Sequence, residues 1–202
     1  MRHDRPVAAT SPAFYFGAMS PYSWFSAERM DRLIPAAEWH AVFLGGVFKS
    51  NGRSSWALGE GRTAGMADCE ARAGQYGLGP IRWPERWPTN DLVVARGMVA
   101  AQARGLLKPF ALQAMRLAFL EGADLGEIAT VLEAGSRTGI DADEMEAALA
   151  DSDVKDALRA ATEEAMARGV FGVPTVIVGQ ELFWGDDRLD EAAAAAAVAA
   201  SA

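Results

Sequence analysis

Thiol and imidazole are scarce in this 202-residue chain, which has a single cysteine, Cys69, and two histidines, His3 and His40. One thiol cannot form an internal disulfide and suits a reducing compartment. So few ligands also argue against a zinc site built from side chains alone, and no metal is expected. Positive charge is in deficit, with 19 Lys and Arg against 27 Asp and Glu, a net charge of −8 and a pI near 4.8. A broad basic face for nucleic acid is therefore not expected, although a local cluster of arginines can still hold a small anion. No run approaches the ~20 apolar residues that span a bilayer. Met1–Pro12 has no apolar stretch of the secretory kind and reads as a polar tail. Arg2 and Arg5 are compatible with a mitochondrial presequence, but Asp4 and the shortness of the segment count against one. The expected compartment is cytoplasmic, with neither membrane nor nucleic acid as partner.

Half of the residues are hydrophobic, enough for a sizeable core, and the length suits one unit, residues 1–202. Ala13–Gly17 is a short apolar and aromatic run, read as a buried strand. Ser20 before Pro21 is a strong helix start, with the helix running from Tyr22 to Ile34 and stopped by Pro35. Glu38–Leu44 reads as a second strand, so the chain opens with a crossover unit that sets two parallel strands in one sheet. Gly45–Ser55 is irregular on composition. Thr63–Tyr76 looks helical, and Pro80, Pro84 and Pro88 make the next stretch an extended, Trp-anchored connection. From Leu92 to about Arg168 the text is helical, with breaks near Gly105, Gly122, Gly139 and Asp151–Asp153, giving four or five helices. Val173–Val178 and Glu181–Trp184 form a hairpin about Gly179-Gln180. Gly185-Asp186-Asp187-Arg188 opens a last, Ala-rich helix with an Asp as its N-cap. The result is an α/β fold: a sheet interrupted by a large helical insertion.

Three separated motifs carry a family resemblance. The turn Phe16-Gly17-Ala18-Met19-Ser20-Pro21-Tyr22-Ser23-Trp24, the loop Leu44-Gly45-Gly46-Val47-Phe48-Lys49-Ser50-Asn51-Gly52, and Gly169–Thr175 followed by Phe183–Arg188 bracket nearly the whole chain. Together they resemble the 2-hydroxychromene-2-carboxylate isomerases and kappa-class glutathione transferases of the DsbA-like branch of the thioredoxin superfamily. The resemblance implies a thioredoxin-like part over 13–44 and 169–202, and a mainly helical insertion over about 60–168. It also implies glutathione as cofactor, a small aromatic substrate, and a homodimer.

The redox relatives carry Cys-x-x-Cys at the first turn, where this chain has Ser20 and Ser23. A residue at a helix N-cap lies under unpaired backbone N–H groups and the positive end of the helix dipole. Here that field can act only on a sulfur brought from outside, which makes Ser20 the candidate catalytic residue, stabilising the thiolate of glutathione. Read by itself, the Ser-Pro start is an ordinary helix cap. Neither histidine offers Ser20 an evident base for work as a covalent nucleophile. By resemblance, Val173 and a cis Pro174 hold the cysteinyl part of glutathione, Asp187 takes its γ-glutamyl ammonium, and Asp186 faces the adjacent carboxylate. Asp186 departs from the Ser or Asn usual there, and an acid facing a carboxylate repels it.

In the second loop Asn51 is the candidate contact for glutathione, with Lys49 and Arg53 as recognisers of an anionic substrate. Trp83, Trp87 and Trp184 are candidates for an aromatic slot, with core packing as the alternative. Cys69 reads as an inert, buried residue. The implied activity is isomerisation of 2-hydroxychromene-2-carboxylate or a similar aromatic catabolite, by thiolate addition, rotation and elimination. A kappa-type transferase and a non-catalytic binding module are the alternatives. Disulfide exchange lacks the sulfurs it needs.

Overall fold

The computed structural model describes residues 11–201. The polar tail expected over Met1–Pro12 and His3 within it lie outside the described residues, apart from 11–12. Four strands, β1 (Ala13–Phe16), β2 (Glu38–Ala41), β3 (Thr175–Val178) and β4 (Glu181–Trp184), form a mixed sheet in the order β2-β1-β3-β4. β1 and β2 are parallel, with Phe14 opposite Trp39, and the other two pairings are antiparallel. A parallel pair cannot be closed by a tight turn. Helix α1 (Pro21–Leu33) supplies the crossover.

All four residues of β1 are buried. Successive strand side chains leave on opposite faces, so β1 feeds two cores. Phe14 and Phe16 join Trp24, Val176 and Phe183 on one side, while Tyr15 joins Val42, Val47, Ala165, Val173 and Ile177 on the other. The edge of Trp39 closes on Phe14 and Phe16 at ring-centroid distances of 5.1 and 5.3 Å. From the first core, Trp24 stacks on Phe119 at 5.4 Å, which fastens α1 to α5 (Leu107–Glu121). Beside that stack, Arg116 grips Glu28 with two 2.7 Å hydrogen bonds.

The other helices are α2 (Leu44–Ser50), α3 (Arg62–Gln75), α4 (Leu92–Gln102), α6 (Ile128–Ser136), α7 (Ala142–Ala150), α8 (Ser152–Ala167) and α9 (Leu189–Ala200). The stretch expected to hold four or five helices thus holds α4 to α8. The hairpin falls where the apolar runs and Gly179 put it. Three expectations need correction. The second strand stops at Ala41, and Leu44 to Ser50, expected as the end of that strand and the start of an irregular stretch, is a helix. Its first turn is capped from a distance by the Asp91 carboxylate, which accepts the Leu44 N–H at 3.0 Å. The last helix begins only at Leu189, after a 3-10 turn over Asp186–Arg188, and has no side-chain cap. Asp186 cannot serve as one because its carboxylate is taken by Arg72 and Tyr76.

Within the helical block, α4 crosses α5 and α6 closely at Gly97. A Cβ there would sit 2.7 Å from a Val131 methyl and 2.9 Å from the Phe110 ring, both fully buried. Alanine gains ~1 kcal/mol of helix propensity over glycine, whereas forced overpacking costs ~1–3 kcal/mol. Gly97→Ala should therefore lower stability by about 1 kcal/mol net, read from the midpoint of urea denaturation. A raised midpoint would mean that Phe110 and Val131 move aside freely.

Candidate functional site

The β1-to-α1 turn builds the centre of the site. Ser20 has extended backbone (φ −93°, ψ 119°), and its Oγ accepts the Ser23 N–H at 3.2 Å. The Ser23 hydroxyl is fully buried and accepts the Gly17 N–H at 3.4 Å, tying the turn back to the strand end. Ser20 thus stands at the N-terminus of a thirteen-residue helix while 6% of its surface stays accessible. Next to it runs the approach to β3, where the Val173–Pro174 peptide bond is cis, as expected. Pro174 O accepts the Gly185 N–H at 3.0 Å, but neither backbone group of Val173 has a hydrogen-bond partner among the described residues.

Ser20 and Val173 open on a cavity of about 990 Å³. Its walls include Tyr22, Trp56, Trp87 and Trp184, with Lys49 and Arg53 supplying positive charge. Arg53 lies 5.2 Å from the Trp184 ring centroid and donates to Phe171 O at 3.4 Å, so its guanidinium spans the rim. Trp83 does not line the cavity. It stands behind Trp87 at 4.5 Å and donates its indole N–H to Glu70. The sequence reading missed Trp56, which packs 5.5 Å from Trp87 and 6.3 Å from Tyr22. Its ring lies on α3 over Gly65, where a Cβ would come within 2.3 Å of it. No periodicity marks Trp56, and the glycine beneath it is the only local trace.

The remaining expected residues are set differently. Asn51 ends α2, donates its side-chain amide to Val47 O at 2.8 Å, and is not on the cavity lining. Lys49 and Arg53 are the polar residues that this loop brings to the cavity instead. Asp187 is exposed and Pro174 buried, and neither lines it. Asp186 is 2% exposed, and its carboxylate accepts from Arg72 at 3.1 Å and from the Tyr76 hydroxyl at 2.9 Å. Its side chain is therefore part of a buried tie between α3 and the 3-10 turn, not a group facing a ligand carboxylate. Burial pushes this carboxyl up, against the downward pull of Tyr76 and Arg72. Arg29 adds to the tie, donating to Asp186 O at 3.3 Å and to Asp190 at 2.7 Å.

Titration is also shifted at Cys69 and at Asp91. Cys69 is fully buried, and burial pushes its thiol up to about 12, so it stays protonated at neutral pH. Asp91, on the cavity lining, is pushed up by burial from 3.8 to about 6, with the Leu44 and Gly45 amides pulling the other way. Sequence reasoning missed Asp91 as well, because its role depends on α2 being brought to it. His40 stacks on Tyr15 at 4.9 Å and is not on the cavity lining.

A buried helix start stands beside a cis proline under a helical insertion. The chain belongs to the DSBA-like thioredoxin domain family, whose model matches residues 13–197. By sequence it is similar to a 2-hydroxychromene-2-carboxylate isomerase of Sphingobium xenophagum, 30% identical over 129 residues, covering 62% of this chain and 63% of the relative. A second enzyme of that description, from Pseudomonas putida, is 25% identical over 185 residues, covering 87% and 89%. By structure it is similar to a 2-hydroxychromene-2-carboxylate isomerase with a TM-score of 0.82 at 23% identity, covering 93% of this chain and 94% of the other. A probable DsbA oxidoreductase from Streptomyces coelicolor follows the same fold, with a TM-score of 0.73 at 20% identity, covering 94% and 89%. The relationship to the isomerases expected from the three motifs is thus borne out.

Two stability tests follow from the buried acids. Folded Asp91 holds its proton to about pH 6, whereas the unfolded chain releases it near 3.8. The native state binds more protons in that window, so Asp91 makes stability fall as pH rises through it. The stability of wild type relative to Asp91→Asn should drop by about 3 kcal/mol across the window, in paired urea denaturation curves. A pH-independent difference would mean that Asp91 ionises normally. Arg72→Met leaves the Asp186 carboxylate with Tyr76 alone. Because Arg72 is itself 27% exposed, the expected loss is about 2 kcal/mol rather than the ~3–5 of a fully buried pair. Most of it should return in the double variant with Asp186→Asn, measured by thermal unfolding.

Proposed function

We propose that this chain is a glutathione-dependent isomerase of 2-hydroxychromene-2-carboxylate or a similar aromatic carboxylate. The observation that carries the proposal is Ser20 at the N-terminus of α1, on the wall of a large cavity that also holds indole rings and two cations. The chain's residues fit glutathione on three counts. The unpaired N–H and C=O of Val173 offer an extended peptide the two hydrogen bonds of a strand edge. Ser20 Oγ already accepts from Ser23 N–H, which leaves its own proton free to donate to a sulfur. The cavity of about 990 Å³ leaves room for a bicyclic acid beside a tripeptide.

When bound, glutathione would supply the nucleophile, a thiolate able to add reversibly to a conjugated carbon of the substrate and so permit rotation there. An ordinary thiol has a pKa of about 8.5 and is only a few per cent ionised at neutral pH. The Ser20 hydroxyl and the α1 dipole together favour the anion. Trp56, Trp87 and Trp184 present flat apolar surface to an aromatic ring, and Lys49 and Arg53 are placed to hold its carboxylate. A dithiol–disulfide cycle within the chain has no pair of sulfurs, since Cys69 is its single cysteine and is buried.

Calorimetric titration tests this reading. Glutathione should bind saturably with release of protons, and S-methylglutathione without it. A charge-assisted hydrogen bond contributes ~1.5–3 kcal/mol, so Ser20→Ala should cut isomerase turnover by roughly 10- to 100-fold. The same substitution should cost no more than ~1 kcal/mol of stability as a lost cap. Equal losses in turnover and stability, or no binding at millimolar glutathione, would reduce Ser20 to a cap. Accumulation of a stable conjugate with an electrophile such as a chlorodinitrobenzene would reassign the site to glutathione transfer.

A further inference from the structure

A second groove, of about 600 Å³, runs between α2, α4 and α8. Its floor is apolar, with Phe43, Leu92, Leu158 and Met166, and its sides carry Lys49, Arg96, Lys155 and Arg159 against a single acid, Glu163. In a chain of net charge −8 this is an unusual concentration of positive charge. Most other cations are already engaged. Among the described residues, Arg32, Lys49, Arg82, Arg96 and Lys155 are the cationic side chains with neither an ion pair nor a side-chain hydrogen bond, and Lys49, Arg96 and Lys155 all line this groove. Arg159 is held only by Asp156, three residues away at 3.1 Å, with both side chains about two-thirds exposed. Such a pair is easily given up.

Arg96 adds an independent observation. Its Nε is buried and has no hydrogen-bond partner among the described residues. A buried N–H without an acceptor carries its full desolvation cost, and gathered like charges repel. An anion in the groove relieves the repulsion and can meet the part of the Arg96 side chain that lines it. Inorganic phosphate would leave the apolar floor uncovered. A guanidinium stacks on aromatic faces as well as pairing with carboxylates, and Arg96 and Arg159 share the groove with Phe43.

We propose that the α2–α4–α8 groove is an accessory binding site for a small aromatic carboxylate, with Arg96 and Lys155 taking the carboxylate and Phe43, Leu158 and Met166 the ring. Lys49 lines both this groove and the Ser20 cavity, so an acid held here lies beside the larger site without entering it. The assignment stands on this groove alone and does not require glutathione.

Methyl NMR on the full chain, with 2-naphthoate as probe, tests it. The Met166 methyl should shift saturably, and the neutral isostere 2-naphthamide should bind at least about tenfold more weakly, as the loss of a charge-assisted hydrogen bond requires. Arg96→Gln and Lys155→Gln should each weaken the Met166 titration by roughly tenfold. Lys155 is exposed, so its variant keeps the test valid if Arg96→Gln perturbs folding. Shifts confined to Met19 in the Ser20 cavity, an unchanged Met166 titration in Lys155→Gln, or equal binding of octanoate would each overturn the assignment.

Discussion

Strand β1 has no solvent face. Phe14 and Phe16 go into one core and Tyr15 into the other, so a shift of one residue would put every side chain on the wrong side. That register fixes where the strand stops, and the turn after it carries the helix start at Ser20. Ser23 anchors the turn from inside by accepting the Gly17 N–H. The catalytic candidate is thus positioned by hydrophobic alternation four to six residues upstream as well as by the hydrogen bonds of its own turn. A rigid strand end of this kind suits a site that must hold a hydroxyl and a helix dipole in line with a ligand atom.

Charge is divided by role. Buried or half-buried acids are used as ties: Asp186 with Arg72 and Tyr76, Glu28 with Arg116, Asp91 on the first turn of α2. The Asp186 tie joins α3 to the turn before α9, and Arg29 reaches the same turn from α1. These ties pack the elements that wall the cavity. Lys49 and Arg53 face it without an acid partner, in a chain whose net charge is −8. Positive potential is therefore concentrated where an anionic ligand is proposed to enter, and it acts on encounter as well as on binding.

Two rings of the aromatic wall, Trp56 and Trp87, come from outside the strands and α-helices. Trp56 sits in a 3-10 turn and is held flat on α3 because Gly65 leaves space beneath it. Trp87 is braced by Trp83 and donates its indole N–H to Met19 O at 3.3 Å, one residue before Ser20. The helical insertion thus contributes side chains to the site as well as a roof.

Local sequence determined the elements and the centre of the site. Apolar runs specified β1, β3 and β4, the Ser-Pro start specified the cap at Ser20, and Gly105, Gly122 and Gly139 fell at breaks between helices. All of these are effects within a few residues, for which periodicity and capping are sufficient signals. Tertiary structure alone decided α2, whose cap is the distant Asp91, and the fate of Asp186, whose buried carboxylate is taken by Arg72 from α3. It also decided that Trp56, not Trp83, lines the cavity, and that Lys49 and Arg53 reach it while Asn51 closes a helix. Asn51 apart, which bonds within its own helix, the deciding partner lies on another element or tens of residues away. A charge or ring that is solvated or buried according to such a partner carries no mark of it in its own neighbourhood of the chain.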